Sequence, residues 1–458
     1  MNSTIYTFLF SAAALAAAAQ APLSEQPQAK AADAAQAVAE APSKLKLNAG
    51  ADLRFRYDYK DNAPSSGGKI NTTYQDYYRL RTRVWGEAKV ENVTLFGRLA
   101  NEFRDYHNAP QQYDFPDELF IDALYADVSG AFDDLVDLRV GRQELKYGEG
   151  RIISDGSAGD GSRSTYFDAV RTSFHVSEKS TLDVFGIYQR PEDDWTLGNE
   201  AYDLTSLTGG ENNDLTESAV GLYLTLAEKK EFPVELYYIW KDESRYYNKG
   251  DRSKRVPGRD FSTAGTRLTP ELNERFTAEF EGATQFGETD DGRDILGFLG
   301  YAGLLYKVAP DHAWRPTVKG GLLYLSGDEH AKTGDDTNWN PVFNRTTWFS
   351  ELASGQYSKY YWTNLLYPHL ELGAVPAKAQ KVTLEAGPMF AAENDTAQDD
   401  SYRGLLGVAK YQFPLLKGFF RKESEVKGTV LGEVFDAGDY YADAETGYYL
   451  RFELAAKF

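Results

Sequence analysis

Three arginines stand at every second position of the segment "YYRLRTRVWGEAKV", residues 77–90. Alternate side chains of a β-strand point to opposite faces, so Arg79, Arg81 and Arg83 share one face and the opposite face is apolar. Guanidinium groups bind carboxylates through a planar fork of donors. The pattern therefore predicts a surface that attracts anions, and carboxylates in particular.

The elements that must carry this surface are strands with the same alternation, from Lys44 to the C-terminus. The first, residues 45–59, and the last, residues 448–458, both alternate apolar with polar side chains. About eighteen such segments follow one another, each long enough for the roughly 9–11 residues of a tilted membrane strand. Residues 44–458 are therefore predicted to form an all-β, transmembrane antiparallel β-barrel.

The connections between these segments support the barrel. Short ones alternate with long polar ones, as in 91–92, 177–180 and 227–232 against 106–117, 148–165, 190–214 and 327–358. Outer-membrane barrels have short periplasmic turns and long extracellular loops, so both termini are predicted to lie in the periplasm. A soluble sandwich or propeller is the alternative, but it lacks such regular connections, and no blade-length repeat is present.

Composition excludes other classes. The chain has 458 residues, a formal net charge of −20, and 31 Tyr, 26 Phe and 7 Trp, an aromatic load suited to strands and membrane interfaces. The mean hydropathy is −0.51, and after the N-terminus no apolar run approaches the roughly 18 residues of a membrane helix. There is no cysteine, so a disulfide framework and thiolate metal sites are excluded. The acidity argues against a nucleic-acid binder.

The N-terminus predicts export. Residues 1–21 contain the apolar run "IYTFLFSAAALAAAA" followed by small residues, as in a secretory signal peptide with cleavage after Ala19 or Ala21. The run is not preceded by Lys or Arg, so a disordered or helical N-terminus is the alternative. Residues 22–43, rich in Ala, Gln and Pro, are predicted to be a flexible lead-in.

The barrel explains why stacked arginines are tolerated. A barrel of about 16–18 strands encloses an aqueous channel, so the cationic face points into water and the apolar face into lipid. The predicted pore-lining, substrate-binding residues are Arg54, Arg56, Arg79, Arg81, Arg83, Arg98, Arg139, Arg171, Arg267 and Arg451, with Arg104, Arg275, Lys319 and Lys427 on the same face. They are concentrated in the first six strands, so one wall is predicted to be mainly cationic.

Acidic residues share the inward face. They are Asp52, Glu87, Glu102, Asp137, Asp183, Glu235, Glu279, Glu281, Glu385, Glu433 and Glu453. The alternative to an anion filter is therefore a neutralised ladder that merely fills the channel. Inward aromatic residues, among them Trp85, Phe96 and Phe185, offer apolar surfaces for sugar rings, although packing explains them equally well.

The segment "RVGRQELKYGEGRIISDGSAGDGSRSTYFDAVR", residues 139–171, resembles the signature of the alginate export family of outer-membrane channels. The matching residues are Gly141, Arg142, Gln143, Tyr147, Gly148, Arg151, Phe167, Asp168 and Arg171. A second resemblance is "LLYLSGD", residues 322–328, followed by "NPVFN". The chain departs from the family pattern in having no Trp between Arg151 and Phe167. Strict alternation aims Arg142 at lipid, which a bulge at Gly141 or a position at the rim reconciles with a role in the pore.

The resemblance implies a monomeric channel in the outer membrane of a Gram-negative-type bacterium. It passes a linear anionic polysaccharide or oligosaccharide, such as an alginate-like uronate, through an arginine-lined constriction. The resemblance places Arg142 among the predicted pore-lining, substrate-binding residues. The expected partners are this polymer, outer-membrane lipid, the barrel-assembly machinery and periplasmic secretion proteins, with no nucleic acid. A general or neutral-sugar porin is the alternative transport function, and an outer-membrane enzyme or surface-binding barrel the alternative of another class.

Other constellations are weak. "DGSAGDGS", residues 155–162, offers Asp155 and Asp160 as oxygen ligands for Ca²⁺, but an ordinary loop explains it better. The five histidines show no metal-binding spacing. No G-x-S-x-G motif is present, so neither a catalytic residue nor a cofactor or metal is predicted.

Overall fold

The computed structural model describes the barrel but not the N-terminal region. The described residues are 45–64, 70–71, 75–107, 119–154, 166–193, 195–197, 202–203, 215–247, 255–329, 334–344, 349–354, 363–394, 400–442 and 445–458. The predicted signal peptide and lead-in, residues 1–43, lie outside them. So does the candidate calcium loop, residues 155–162.

Eighteen antiparallel strands form one closed barrel. They are β1 (Lys46–Asp61), β2 (Gln75–Val90), β3 (Val93–Tyr106), β4 (Leu119–Gly130), β5 (Val136–Gln143), β6 (Phe167–His175), β7 (Thr181–Gln189), β8 (Glu217–Leu226), β9 (Val234–Glu243), β10 (Arg259–Leu268), β11 (Phe276–Thr289), β12 (Asp294–Lys307), β13 (Thr317–Leu325), β14 (Leu365–Ala374), β15 (Lys381–Phe390), β16 (Tyr402–Lys417), β17 (Glu425–Ala437) and β18 (Thr446–Lys457).

Each strand pairs with its neighbours in sequence, and β18 returns to pair with β1. Closure leaves no strand edge unpaired, which a sheet in lipid requires because the bilayer core supplies no hydrogen-bond partners. The predicted eighteen-stranded barrel is confirmed.

The two faces of the wall differ as the alternation predicts. On β1, Leu53 is 43% exposed on the outside, whereas Arg54 and Arg56 are buried on the inside. Large apolar side chains cover the exterior all round the barrel, for example Leu95, Val140, Val220, Leu236, Phe286, Phe298, Leu322, Leu384 and Leu450. Such a surface is stable against lipid and unstable in water. In the described part of the chain, no helix is long and apolar enough to cross a membrane.

The connections fall into the two predicted classes. At the end that carries both termini, the strands are joined by the short segments 91–92, 131–135, 176–180, 227–233, 269–275, 308–316, 375–380 and 418–424. The opposite end carries the long loops, apart from the shorter connections 290–293 and 438–445. Among the described residues, two helices of four residues interrupt the connections, α1 (Ala131–Asp134) on the periplasmic side and α2 (Glu351–Ser354) in a long loop.

Parts of two long loops fold back into the barrel, where the sequence predicted purely extracellular loops. We call residues 145–154 the first inner segment, and residues 336–344 together with 349–354 the second inner segment. Their apolar side chains are buried against inward-facing residues of the wall in one cluster, and they are Leu145, Ile152, Ile153, Trp339, Val342, Phe343 and Leu352. Ile153–Ser154 also pairs in parallel with Phe343–Asn344. The lumen is therefore partly filled by a packed core.

We predict that Gly141→Ala weakens the barrel at the junction of β4 and β5. Gly141 has φ +124°, and a Cβ atom there would lie 2.3 Å from the carbonyl oxygen of Leu124. Strained backbone of this kind costs about 1–3 kcal/mol per residue, so the urea midpoint of the barrel in lipid should fall. Gly282→Ala is the matched control, because nothing lies within 4 Å of a Cβ at that position. Equal midpoints for the two variants would contradict the prediction.

Candidate functional site: an arginine wall in the barrel

Arginines of β1, β2 and β3 stand directly opposite one another on the inward face. Arg54 is opposite Arg81, and Arg79 lies between Arg56 on one side and Arg104 on the other. With Arg83 these six residues form what we call the arginine wall. Like charges opposite each other on neighbouring strands destabilise a sheet. A row of three arginines therefore needs counter-charges, either from the protein or from a ligand.

Carboxylates on β1 itself and on the flanking strands β4 and β18 supply part of this counter-charge. Arg56 donates to Glu453 of β18 with Nη2–Oε2 at 2.6 Å, and Arg81 lies 3.3 Å from Asp52. Two other acids are each shared by two arginines. Asp58 lies 3.7 Å from Arg79 and 3.1 Å from Arg451, and Asp122 lies 3.0 Å from Arg83 and 2.6 Å from Arg98.

Sharing of acids keeps the wall cationic. Arg54, Arg56, Arg79 and Arg83 are at most 6% exposed, so water screens their charges less than it would at the outer surface. Several guanidinium groups held close together in this way raise the local concentration of anions. Arg81, whose side chain is 13% exposed, is more accessible than these four and can donate charge-assisted hydrogen bonds to a carboxylate.

Arg98 and Arg451 adjoin this wall through the shared acids, but other predicted residues lie away from it. Arg139 and Arg171 are opposite each other on β5 and β6, and Arg139 donates two hydrogen bonds of 2.6 Å to Asp127. Arg267 is on β10, where Glu235 at 2.9 Å, Glu149 at 3.1 Å and Glu279 at 3.3 Å surround it. Arg275 lies exposed in the turn before β11 and not on the inward face.

Arg142 lies at the extracellular end of β5 and is buried. It donates hydrogen bonds to Asp168 at 2.9 Å and to Asp193 at 3.0 Å. Its guanidinium also lies 3.7 Å from the ring centre of Tyr166 and 4.5 Å from that of Trp195. Cross-strand pairing puts Arg142 opposite Leu124, which faces outward. Through these contacts Arg142 connects the loop after β7 to the extracellular ends of β5 and β6.

Asp122 was missed from the sequence. The register between β3 and β4 shifts between Arg98 and Leu99. This irregularity turns Asp122 toward the lumen, so that Asp122 and the residue after it are both buried. Two aspartates at positions of opposite parity within "LFIDALYADV", Asp122 and Asp127, are the signal that could have identified it, because strict alternation would turn one of them toward lipid, where a carboxylate is costly.

The first inner segment is fastened to the far wall by Arg151. This arginine donates 2.7 Å hydrogen bonds to Glu279 and to Glu281, and its guanidinium lies 3.8 Å from the ring centre of Tyr301. Burial lowers the pKa of Arg151, but Glu281 and Glu279 outweigh this effect, and the pKa is raised. Arg151 therefore stays charged, and its ion pairs with Glu279 and Glu281 hold the first inner segment against the barrel wall.

The second inner segment is fastened by polar contacts at two places. Lys241 of β9 donates a 2.7 Å hydrogen bond to the carbonyl of Val342. At the other end, the Ser350 hydroxyl and the Leu352 amide donate to Glu433 at 2.5 and 2.9 Å. Arg451 also pairs with Glu351 at 2.6 Å. Both inner segments are thus held against the wall opposite or beside the arginine wall.

Metal binding has no support among the described residues, which contain no group of three or more His, Cys, Asp or Glu side chains arranged to hold an ion. The described side chains at this site are instead cations, their carboxylate partners and aromatic rings. The chemistry that they offer is non-covalent binding of an anionic ligand.

Comparisons with known proteins agree with this architecture. A family model described as "Alginate export" matches residues 45–398, whereas comparison with curated proteins gives no match. The fold is similar to that of OccK7 (OpdD) of Pseudomonas aeruginosa, with a TM-score of 0.58 and 9% identity over 90% of this chain and 99% of that chain. OccAB1 of Acinetobacter baumannii gives a TM-score of 0.55 at 11% identity, covering 90% of this chain and 97% of that chain.

Proposed function

The chain belongs to the alginate export family of outer-membrane channels, and from this premise we propose that it conducts an anionic polysaccharide or oligosaccharide, with alginate-like uronates as the substrate class. The observation that carries the proposal is the row of Arg56, Arg79 and Arg104 on three neighbouring strands. Such a row is unfavourable in an empty sheet. The concentration of positive charge in this row attracts the carboxylates of a passing chain into the lumen beside it.

In this proposal conduction is passive, so the substrate moves down its own concentration gradient. Local anion attraction acts over about 10 Å at 0.1 M salt and less at higher salt. The proposed filter is therefore electrostatic, and its effect depends on ionic strength. An enzyme would need a positioned nucleophile and base instead, and the function supported here is that of a channel.

Planar-bilayer recordings test this function. We expect discrete conductance steps, a reversal potential that favours anions in a salt gradient, and block by oligouronates that weakens as salt is raised. A neutral-sugar porin would lack the anion preference and would be blocked at least as strongly by neutral oligosaccharides as by oligouronates, at low and at high salt. A filled enzyme or binding barrel would give essentially no conductance steps, and either result would overturn the proposal.

A further inference from the structure

Three aromatic rings form a row on the inward face, on the periplasmic side of the arginine wall. They belong to Trp85 of β2, Phe96 of β3 and Tyr125 of β4. The ring centres of Trp85 and Phe96 are 5.9 Å apart and those of Phe96 and Tyr125 5.0 Å apart, and both pairs are stacked. Trp85 follows Arg83 by two residues and Phe96 precedes Arg98 by two, so the row borders the cationic face directly.

The wall leaves space for this row. Trp85 is opposite Gly50 of β1, and a Cβ atom on Gly50 would lie 2.5 Å from the indole ring. The indole therefore occupies the place of the missing side chain and lies over the backbone of β1. At the other end of the row, the Arg139 guanidinium is 4.1 Å from the ring centre of Tyr125.

Packing of the core does not account for these rings. The buried apolar cluster formed by the described wall residues and the inner segments includes Phe185, Tyr223 and Tyr237. It includes none of the three rings of the row, each of which is only half-buried. Stacked rings on an inward face that keep part of their surface accessible are a platform for a ligand with a flat apolar side.

We propose that Trp85, Phe96 and Tyr125 form a binding subsite for the pyranose rings of the transported chain, an inference that rests on the proposed function. One face of a pyranose ring presents C–H groups that pack on an aromatic ring, while hydroxyl and carboxylate groups at its edge remain available to charged side chains. Arg83 and Arg98 border the row on one side and Arg139 ends it, and all three are paired with carboxylates of the wall. The row therefore supplies the contact with the sugar ring, and the adjoining arginine wall supplies the attraction for its carboxylate. The row recognises the ring and the arginines recognise the charge.

The double variant Trp85→Leu/Phe96→Leu tests the subsite. Leucine keeps an apolar side chain in the lumen but removes the flat face, and the backbone pairing of β2 and β3 is unaffected. The matched control is Phe276→Leu/Tyr306→Leu, because these rings are also stacked, at 4.8 Å, but lie on the lipid-facing side of β11 and β12. The measurement is the residence time of two blockers in single-channel recordings, an oligouronate and a neutral β-1,4-linked glucose oligomer of the same length.

We expect the residence times of both blockers to fall about tenfold in the lumen variant, equivalent to about 1.4 kcal/mol, and to stay unchanged in the control. The reversal potential in a salt gradient should not move, because every arginine is retained. Wild-type residence times in the lumen variant would overturn the subsite and leave the proposed function standing. Loss of uronate block alone would overturn it as well, since stacking does not depend on charge. A wild-type channel that neither sugar blocks would overturn both proposals.

Discussion

Replacing Arg79 and Arg81 together by Ser shifts the reversal potential of the channel toward cations and shortens block by oligouronates. Both residues stand in the middle of the arginine wall, where Arg79 has arginines opposite it on both sides. Hydrogen bonds to charged groups contribute about 1.5–3 kcal/mol each, so block should weaken at least about tenfold at low salt. At 1 M salt, where screening acts over about 3 Å, the variant and the wild type should converge.

The fold of this double variant should survive. Asp58 loses Arg79 but keeps Arg451 at 3.1 Å and the Tyr449 hydroxyl, and the lipid-facing side chains are untouched. The control for the change in net charge is Arg275→Ser/Arg421→Ser, because both arginines are exposed on periplasmic turns. A double variant that keeps its anion preference and its oligouronate block at low salt would make the wall a neutralised ladder. Selectivity would then have to come from the long loops.

The fold could be predicted because the membrane imposes one rule on every strand. In β1, Leu53 must face lipid and Arg54 and Arg56 must not, so the alternation in the sequence is the alternation in space. Register followed from the same rule, since a slip by one residue would turn the whole cationic face of β2 into the bilayer. The juxtaposition of Arg56 and Arg79 is a direct consequence of two adjacent strands obeying it.

Irregular positions were not predictable in this way. Arg142 follows Gly141, whose φ of +124° interrupts the regular strand, and a loop residue, Asp193, completes its ion pairs. Asp122 stands where the register shifts. Both depend on the local backbone geometry, which a two-residue period does not contain.

The inner segments were also hidden from sequence reasoning. Their apolar residues are dispersed among Gly, Asp and Asn, so residues 148–165 and 327–358 have the composition of ordinary polar loops. The contacts that hold them join distant positions, as Arg151 and Glu279 do. Neither periodicity nor composition signals such a contact, and only the folded barrel brings the partners together.

Replacing Arg151 by Ala releases the first inner segment and enlarges the channel. Glu279 and Glu281 both lose the guanidinium that they share. Glu279 keeps Arg267 and Lys319, each at 3.3 Å, so the cost falls mainly on Glu281, and breaking a buried pair costs about 3–5 kcal/mol. The packing of Ile152 and Ile153 opposes release of the segment. Movement of this one loop nevertheless relieves the cost of the broken ion pair without disrupting the strand pairing. We expect higher single-channel conductance, frequent transitions between conductance levels and passage of larger neutral polymers.

A rescue variant separates release of the loop from general damage to the barrel. Removing the two acids together with the arginine, as Arg151→Met/Glu279→Gln/Glu281→Gln, eliminates the unpaired charges and keeps comparable volumes, a replacement that is often neutral for buried ion pairs. Arg267 and Lys319 lose one acidic neighbour in this variant, but Arg267 retains Glu235 and Glu149. Conductance should return toward the wild-type level, with quieter recordings than for Arg151→Ala. If Arg151→Ala has wild-type conductance and noise, apolar packing alone holds the segment in place, and the contacts of Arg151 contribute nothing to the width of the pore.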